Sequence, residues 1–253
     1  MQPIDLVLED GGNGIGLAGV VHGLEKAGLR PDLRCRVAGA SAGAVAGALI
    51  AAGVPADELE ALLRAAPIGE WPENGPPASL HSHRGDPLHQ WLTRELGRLG
   101  VRTFGDLRIA HDPDSALPPE CAYRLVVAVS DRSRGRVLRL PWDYHQLGLY
   151  PDEQPVADAV RASVAALATV PVDLFDRRDG RAARWPTVGV RMAPPRPVWG
   201  LFELSRALIT TMVVGAGDDR TIHIDPSGDP FANGVRAACE YAGRAIREPL
   251  VCG

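Results

Sequence analysis

The stretch from Arg36 to Gly53, RVAGASAGAVAGALIAAG, constrains the fold more than any other part of the chain. A short apolar strand pattern runs directly into a helix pattern, and Ser41 stands between them with small residues at two positions on each side. This arrangement is typical of a nucleophile elbow, a turn so tight that larger flanking side chains would collide and the hydroxyl is exposed above the first helical amides. A serine that only caps the helix gives the same local pattern. The pentad alone leaves both interpretations open.

A glycine-rich loop lies one βα unit before this turn. Ile4 to Leu8 has the composition of a buried parallel strand, and DGGNGIGLAG follows it, with Gly11, Gly12 and Gly14 ahead of a helix. Such a loop leaves backbone amides uncovered at a helix start, where the helix dipole favours an anion. Parallel strands bring both loops to the same carboxyl edge of the sheet. The sequence therefore predicts an anion-binding loop beside Ser41.

The rest of the chain alternates helix and strand patterns. Hydrophobic periodicity predicts further helices over 56–65, 86–99, 155–164, 198–214 and 230–247, and strands over 34–38, 122–130, 136–140, 187–192 and 220–225. The Pro/Gly-rich segment 67–85 has no periodicity and is typical of a surface loop that covers a site. We therefore expect a single domain over 1–253 of the α/β class, a three-layer α/β/α fold with a mainly parallel central sheet.

Charge and cysteine usage argue against several classes of function. A net charge of −4 without a dense Lys/Arg block disfavours nucleic acid as a partner. The four cysteines are far apart and form no CxxC pair, which disfavours a zinc site or a disulfide framework. The first ten residues lack the pattern of a signal peptide, and the apolar run 38–55 is short for a membrane span. We expect a cytoplasmic protein with no metal and no organic cofactor.

The glycine loop followed by GASAG one βα unit later resembles the patatin-like phospholipase family. The stretches RLVVAVSDRSRGRVLRLPWDY, VADAVRAS and VPVDLFDRRDGRAARWPTVGVRM extend the resemblance over most of the chain. It implies a Ser/Asp dyad acyl hydrolase, in which serine attacks an ester carbonyl, an aspartate of a DGG or DGA motif serves as base partner, and loop amides stabilise the oxyanion. The implied substrate is a lipid-like or other apolar ester, and transient contact with a membrane surface is left open.

The glycine loop departs from the family pattern. By resemblance, Ser41 corresponds to the nucleophile, and the oxyanion and substrate loop corresponds to Gly11, Gly12, Asn13 and Gly14. Asp10, however, stands where the first of three consecutive glycines is usual, and the basic residue of the family loop is absent. A carboxylate about 4 Å from the oxyanion would oppose its formation by about 4 kcal/mol at an effective dielectric near 20.

The catalytic aspartate is the second departure. Ser163 is followed almost at once by the apolar segment that ends at Asp173, so the expected DGG segment is missing. Asp179, with Gly180, forms the remaining Asp-Gly pair downstream of Ser41 and is the candidate for the dyad partner. Asp173 and the absence of any dyad are the alternatives.

These departures motivate a competing hypothesis of a diverted scaffold. The protein would then be a ligand-binding pseudoenzyme, or a biosynthetic enzyme such as a cyclase that uses Asp10 as an acid/base residue. The fluorophosphonate reactivity of Ser41 separates this hypothesis from the hydrolase.

Three other sequence patterns resemble functional sites, but a purely structural role explains each of them better. The glycines at 14, 16 and 19 spell GxGxxG, but the next strand ends without the acidic residue that a dinucleotide site needs. The order Ser41, Asp179, His223 imitates a hydrolase triad, but Ser41 lies too early in the chain for that fold. His81, His83 and His89 have no carboxylate or cysteine pattern beside them, which favours a solvated loop over a metal site.

Overall fold

The fold is organised around a mainly parallel sheet. The computed structural model describes residues 2–10, 14–31, 35–68, 86–109, 118–131, 134–165, 174, 187–192, 220–225 and 227–245. The strands among these residues are β1 Gln2–Pro3, β2 Asp5–Asp10, β3 Leu29–Arg30, β4 Val37–Ser41, β5 Leu125–Asp131, β6 Arg136–Leu140, β7 Thr187–Met192 and β8 Thr221–Ile224. The α-helices are α1 Ile15–Lys26, α2 Ala42–Ala51, α3 Ala56–Ala65, α4 Pro87–Arg98, α5 Val156–Val164 and α6 Pro230–Ala245.

The main sheet has the order β6-β5-β4-β2-β7-β8. All neighbours in it are parallel except β5 and β6, which form an antiparallel hairpin, while β1 and β3 pair separately. Helices flank this sheet, so the predicted three-layer α/β/α class is confirmed. The parallel arrangement brings the ends of β5, β4, β2, β7 and β8 to one carboxyl edge.

The strands at the centre of the sheet are apolar because both of their faces are covered. Leu6, Val7 and Leu8 of β2 are all buried. At the amino end of β2 and β4 the carboxylate of Asp5, which is fully buried, accepts bonds from the backbone amide and the guanidinium of Arg36 at 2.7 to 3.1 Å. This ion pair ties the start of β4 to β2.

Helix α2 is the buried helix that the alanine- and glycine-rich sequence predicts. Each of its residues, from Ala42 to Ala51, is buried. The helix packs on β2, β4 and β5 and is covered by α3 and α5. Its position holds the end of β4 at the centre of the molecule.

The close crossing of α1 and α6 explains one glycine of the GxGxxG pattern, Gly19, and its counterpart Gly234 on α6. A Cβ atom added to Gly19 would lie 2.2 Å from the carbonyl oxygen of Phe231, and one added to Gly234 would lie 2.2 Å from the carbonyl oxygen of Gly16. The two helix backbones are therefore in direct contact. Gly19 and Gly234 therefore serve helix packing.

Most predicted elements are present, with shifts of a few residues at their ends. The bounds of α3, β6 and β7 match the prediction, whereas β4 lies three residues further along the chain than predicted. The predicted helix 198–214 lies outside the described residues, as does 69–85 of the predicted covering loop.

Candidate functional site

Strand β4 ends at Ser41, and helix α2 begins at the next residue. Ser41 has φ 56° and ψ −128°, and it is the single non-glycine residue with a positive φ among those that the structure describes. A non-glycine residue held there costs about 1 to 3 kcal/mol, so it persists only where the surroundings determine the turn. The serine is half-buried. The turn is thus a strained point at the carboxyl edge of the sheet.

The two glycines that flank Ser41 leave no room for a side chain. A Cβ atom on Gly39 would lie 2.3 Å from the carbonyl oxygen of Gly43, and one on Gly43 would lie 2.1 Å from the carbonyl oxygen of Leu8. Both contacts are with backbone, which cannot rotate away as a side chain could. The spacing of small residues around the serine therefore follows from the tightness of the turn and from its contact with β2.

The sheet register aligns the start of the glycine loop with Ser41. Asp10, the last residue of β2, is the register partner of Ser41 in the parallel β2–β4 pair. Gly14 has φ 80° and precedes the first turn of α1, and a Cβ atom built on it would lie 3.7 Å from the carbonyl oxygen of Ala42. The structure therefore brings Ser41, the backbone of Asp10 and Gly14 together.

The other predicted site residues lie outside the described part of the chain. These are the loop residues Gly11, Gly12 and Asn13 and the candidate dyad residues Asp179 and Asp173. Their roles stay predictions from the sequence.

Ser163, at the end of α5, contacts the turn although sequence reasoning gave it no role. Its hydroxyl oxygen accepts a bond from the backbone N–H of Ser41 at 3.0 Å and donates one to the carbonyl oxygen of Ala128 at 2.6 Å. The side chain is fully buried. The sequence shows a serine near the end of an apolar helix pattern. That pattern does not reveal which strand the serine hydroxyl contacts.

A cavity lies where α5 continues past Ser163. This cavity, called here the α4–α5 cavity, has a volume of about 180 Å³ and is lined by Pro67, Ile68, Asp86, Leu88, Arg161, Val164 and Ala165. In its wall the Nε of Arg161, a side chain that is 1% exposed, donates to Asp86. Burial alone would raise the pKa of Asp86, but the His89 amide, the Arg161 guanidinium and the Leu88 amide together lower it.

Two of the histidines named in the sequence analysis, His223 and His89, lie in the described part of the chain. Three strand spacings of about 4.8 Å separate β4 from β8, so the backbone of His223 lies about 14 Å across the sheet from that of the turn. His89 bonds through Nε2 to Asp158 at 2.7 Å, while His81 and His83 lie outside the described residues. Within the described residues, no three His, Cys, Asp or Glu side chains come together as a metal site.

Among the helices in the described ranges, none combines the length and the apolar character needed to cross a bilayer.

Comparison with known proteins assigns this geometry to a family. A model of the patatin-like phospholipase family matches residues 7–181. The uncharacterized protein YqhO of Bacillus subtilis (strain 168) is 31% identical, and the match covers 83% of this chain and 80% of YqhO.

Solved structures of similar fold include two bacterial proteins. ExoU from the type III secretion system of Pseudomonas aeruginosa, solved in complex with SpcU, superimposes with a TM-score of 0.62 at 18% identity, over 98% of this chain and 53% of ExoU. VipD from Legionella pneumophila gives a TM-score of 0.52 at 14% identity, over 97% of this chain and 66% of VipD. The chain thus spans about half the length of ExoU. At these identities the two structures show a common fold.

Proposed function

The chain belongs to the patatin-like phospholipase family, and we propose on that premise that it is a serine acyl hydrolase or acyltransferase acting on lipid-like or other apolar esters. The observation that carries the proposal is the strained turn at Ser41, which stands beside the start of a glycine loop at the carboxyl edge of a parallel sheet. Ligands of open α/β sheets bind at this edge. Cytoplasmic location and transient membrane contact remain predictions from the sequence.

In the proposed reaction the hydroxyl oxygen of Ser41 attacks the ester carbonyl carbon. Its proton passes to a carboxylate, for which Asp179 is the candidate, and then to the departing alcohol. The tetrahedral oxyanion is held by backbone amides of Gly11, Gly12 and Gly14, because amides at a helix start carry partial positive charge. Water, or a second alcohol in a transferase, then releases the acyl group from Ser41.

The α4–α5 cavity supports an acyl substrate. Most of its lining is apolar, and its volume of about 180 Å³ holds roughly six water-sized groups, enough for a short acyl segment. The residues Val164 and Ala165 connect this wall directly to Ser163 and so to the backbone of Ser41. We therefore propose that the acyl part of the substrate enters this cavity.

A fluorophosphonate probe tests the nucleophile. We expect the wild type to be labelled and to hydrolyse p-nitrophenyl butyrate, and Ser41→Ala to lose both activities. Ser227→Ala is the matched control, because Ser227 bonds to Asp225 in an exposed turn. Failure of the well-folded wild type to react with the probe would contradict the proposal.

A diverted scaffold is the second candidate, and the register of Asp10 favours it. The backbone of Asp10 is paired with that of Ser41 across one strand spacing, about 4.8 Å. A carboxylate close to the oxyanion would oppose its formation. If the protein is a hydrolase, removing this charge in Asp10→Asn leaves labelling intact or increases it. If Asp10 is an acid/base residue of another reaction, the wild type resists the probe and Asp10→Asn abolishes that other reaction.

A further inference from the structure

The hydrogen bond of the Ser41 amide departs from the pattern of the sheet. In the β4–β5 pair, Val37 is the register partner of Leu125, and its N–H donates to the carbonyl of the preceding residue, Arg124, at 2.7 Å. The register continues to Gly39 opposite Val127. Two residues further, the same pattern would direct the N–H of Ser41 to the carbonyl oxygen of Ala128.

The hydroxyl of Ser163 occupies this place in the ladder. It accepts from the Ser41 N–H at 3.0 Å and donates to the Ala128 carbonyl at 2.6 Å, so it bridges the two groups that the register would have joined directly. The polarity of the bridge is fixed, because an amide can only donate and a carbonyl can only accept. Since Ser163 is fully buried, water does not readily replace it.

The bridge determines the orientation of the turn. It inserts a hydroxyl between β5 and β4 at Ser41, the one described non-glycine residue with a positive φ. The orientation of the Ser41 amide plane sets the direction of its Cα–Cβ bond, and thus where its hydroxyl points. The residues on either side of Ser41 are alanine and glycine, which have no polar side chain that could hold its amide.

We propose that Ser163 is a positioning residue for Ser41. Its hydroxyl holds the strained turn in the conformation that aims the Ser41 side chain at the substrate, and it couples that turn to the wall of the α4–α5 cavity. The proposal rests on the function proposed for Ser41, but it makes a separate statement about the Ser41 amide that does not depend on activity.

Inactivation kinetics with a fluorophosphonate test the positioning role. We compare the wild type with Ser163→Ala, Ser163→Thr and Val160→Ala, the last as a control for lost packing, because Val160 is fully buried on the same helix and has no polar side-chain atom. In Ser163→Ala we expect the inactivation rate constant to fall about 10- to 100-fold with unchanged probe affinity, because a misplaced reacting group loses rate and not binding. Ser163→Thr, which keeps the hydroxyl, restores most of the rate. If Ser163→Ala reacts as fast as Val160→Ala, the proposal is overturned.

Amide hydrogen exchange keeps the two proposals distinguishable. We expect the Ser41 amide to be protected in the wild type and in Val160→Ala, and to lose that protection in Ser163→Ala. If the folded wild type does not react with the probe, the proposed function fails, and the exchange result alone then decides the bridge. Unchanged protection of Ser41 in Ser163→Ala would overturn the bridge whatever the activity.

Discussion

The carboxylate of Asp86 joins α4 to α5, and replacing it by asparagine should destabilise the protein strongly. One oxygen, Oδ1, accepts from the His89 amide at 3.0 Å and caps α4, and the other, Oδ2, accepts from the Nε of Arg161 at 2.5 Å. Asparagine is as good a helix cap as aspartate, but one of its two polar atoms is a donor. Asp86→Asn can therefore keep only one of the two bonds, and it removes a carboxylate charge beside the guanidinium of Arg161.

The burial of the pair sets the size of the effect. Arg161 is 1% exposed and Asp86 is 13% exposed. A charge-assisted hydrogen bond contributes about 1.5 to 3 kcal/mol, and removing one partner of a buried pair costs about 3 to 5 kcal/mol. Because Asp86 keeps some contact with solvent, we expect Asp86→Asn to lower the free energy of unfolding by about 3 kcal/mol.

Urea denaturation at neutral pH, followed by tryptophan fluorescence, measures this loss. Trp91 lies buried on α4 and reports the same helix. Arg161→Met removes the guanidinium as well, so the double variant with Asp86→Asn should lose at least about 1.5 kcal/mol less than the sum of the single variants. Additive losses, or a loss below about 1 kcal/mol in Asp86→Asn, would refute the reasoning.

The difference between the wild type and Asp86→Asn should also depend on pH. The pKa of Asp86 is lowered from the ordinary value of 3.8 in the folded protein, so the folded state holds its carboxylate charged at a pH where the unfolded chain binds a proton. The stabilisation is complete above pH 3.8 and is lost as the pH falls through the lower pKa of the folded state. The two proteins should therefore converge in stability only at strongly acidic pH.

Two further substitutions test how β2 is held to its neighbours at its two ends. Gly43→Ala places a Cβ atom 2.1 Å from the carbonyl oxygen of Leu8 and should lower the free energy of unfolding, measured by thermal unfolding, by about 3 kcal/mol or more. Gly97→Ala is the control, because its Cβ atom would meet nothing within 4 Å, and it should be neutral or stabilising. A small effect of Gly43→Ala would mean that β2 and α2 are further apart than described. Asp5→Asn removes the charge that binds the buried Arg36 and should cost about 3 to 5 kcal/mol in urea denaturation, and a loss below about 1 kcal/mol would contradict that role.

The sequence predicts the order of the elements well because their apolar patterns are strong. The strands 136–140 and 187–192 have the predicted bounds, and so does helix 56–65. The bounds of β4 were wrong by three residues, since the strand continues through Gly39 and Ala40 to Ser41. Glycine and alanine have low strand propensity, and this segment is a strand because it pairs with the last residues of β2.

The contacts around the site are harder to predict because they join distant parts of the chain. The bond from Ser41 to Ser163 spans 122 residues, and the bond from Arg161 to Asp86 spans 75. Local periodicity places each residue on a helix or a strand but does not say which helix faces which strand end. The two-residue strands β1 and β3 were missed for a related reason, because they are too short to show a pattern.

The conformation of Ser41 favours a chemical role for its hydroxyl over a ligand-binding scaffold. Gly43 holds the turn against β2, and Ser163 holds it against β5, so both neighbouring strands determine its backbone. Glycine would adopt the positive φ without strain, whereas serine there costs about 1 to 3 kcal/mol. A scaffold that only needed the turn would be more stable with glycine at this position. The strain at Ser41 is therefore best explained by a hydroxyl that must stand at this point of the sheet edge.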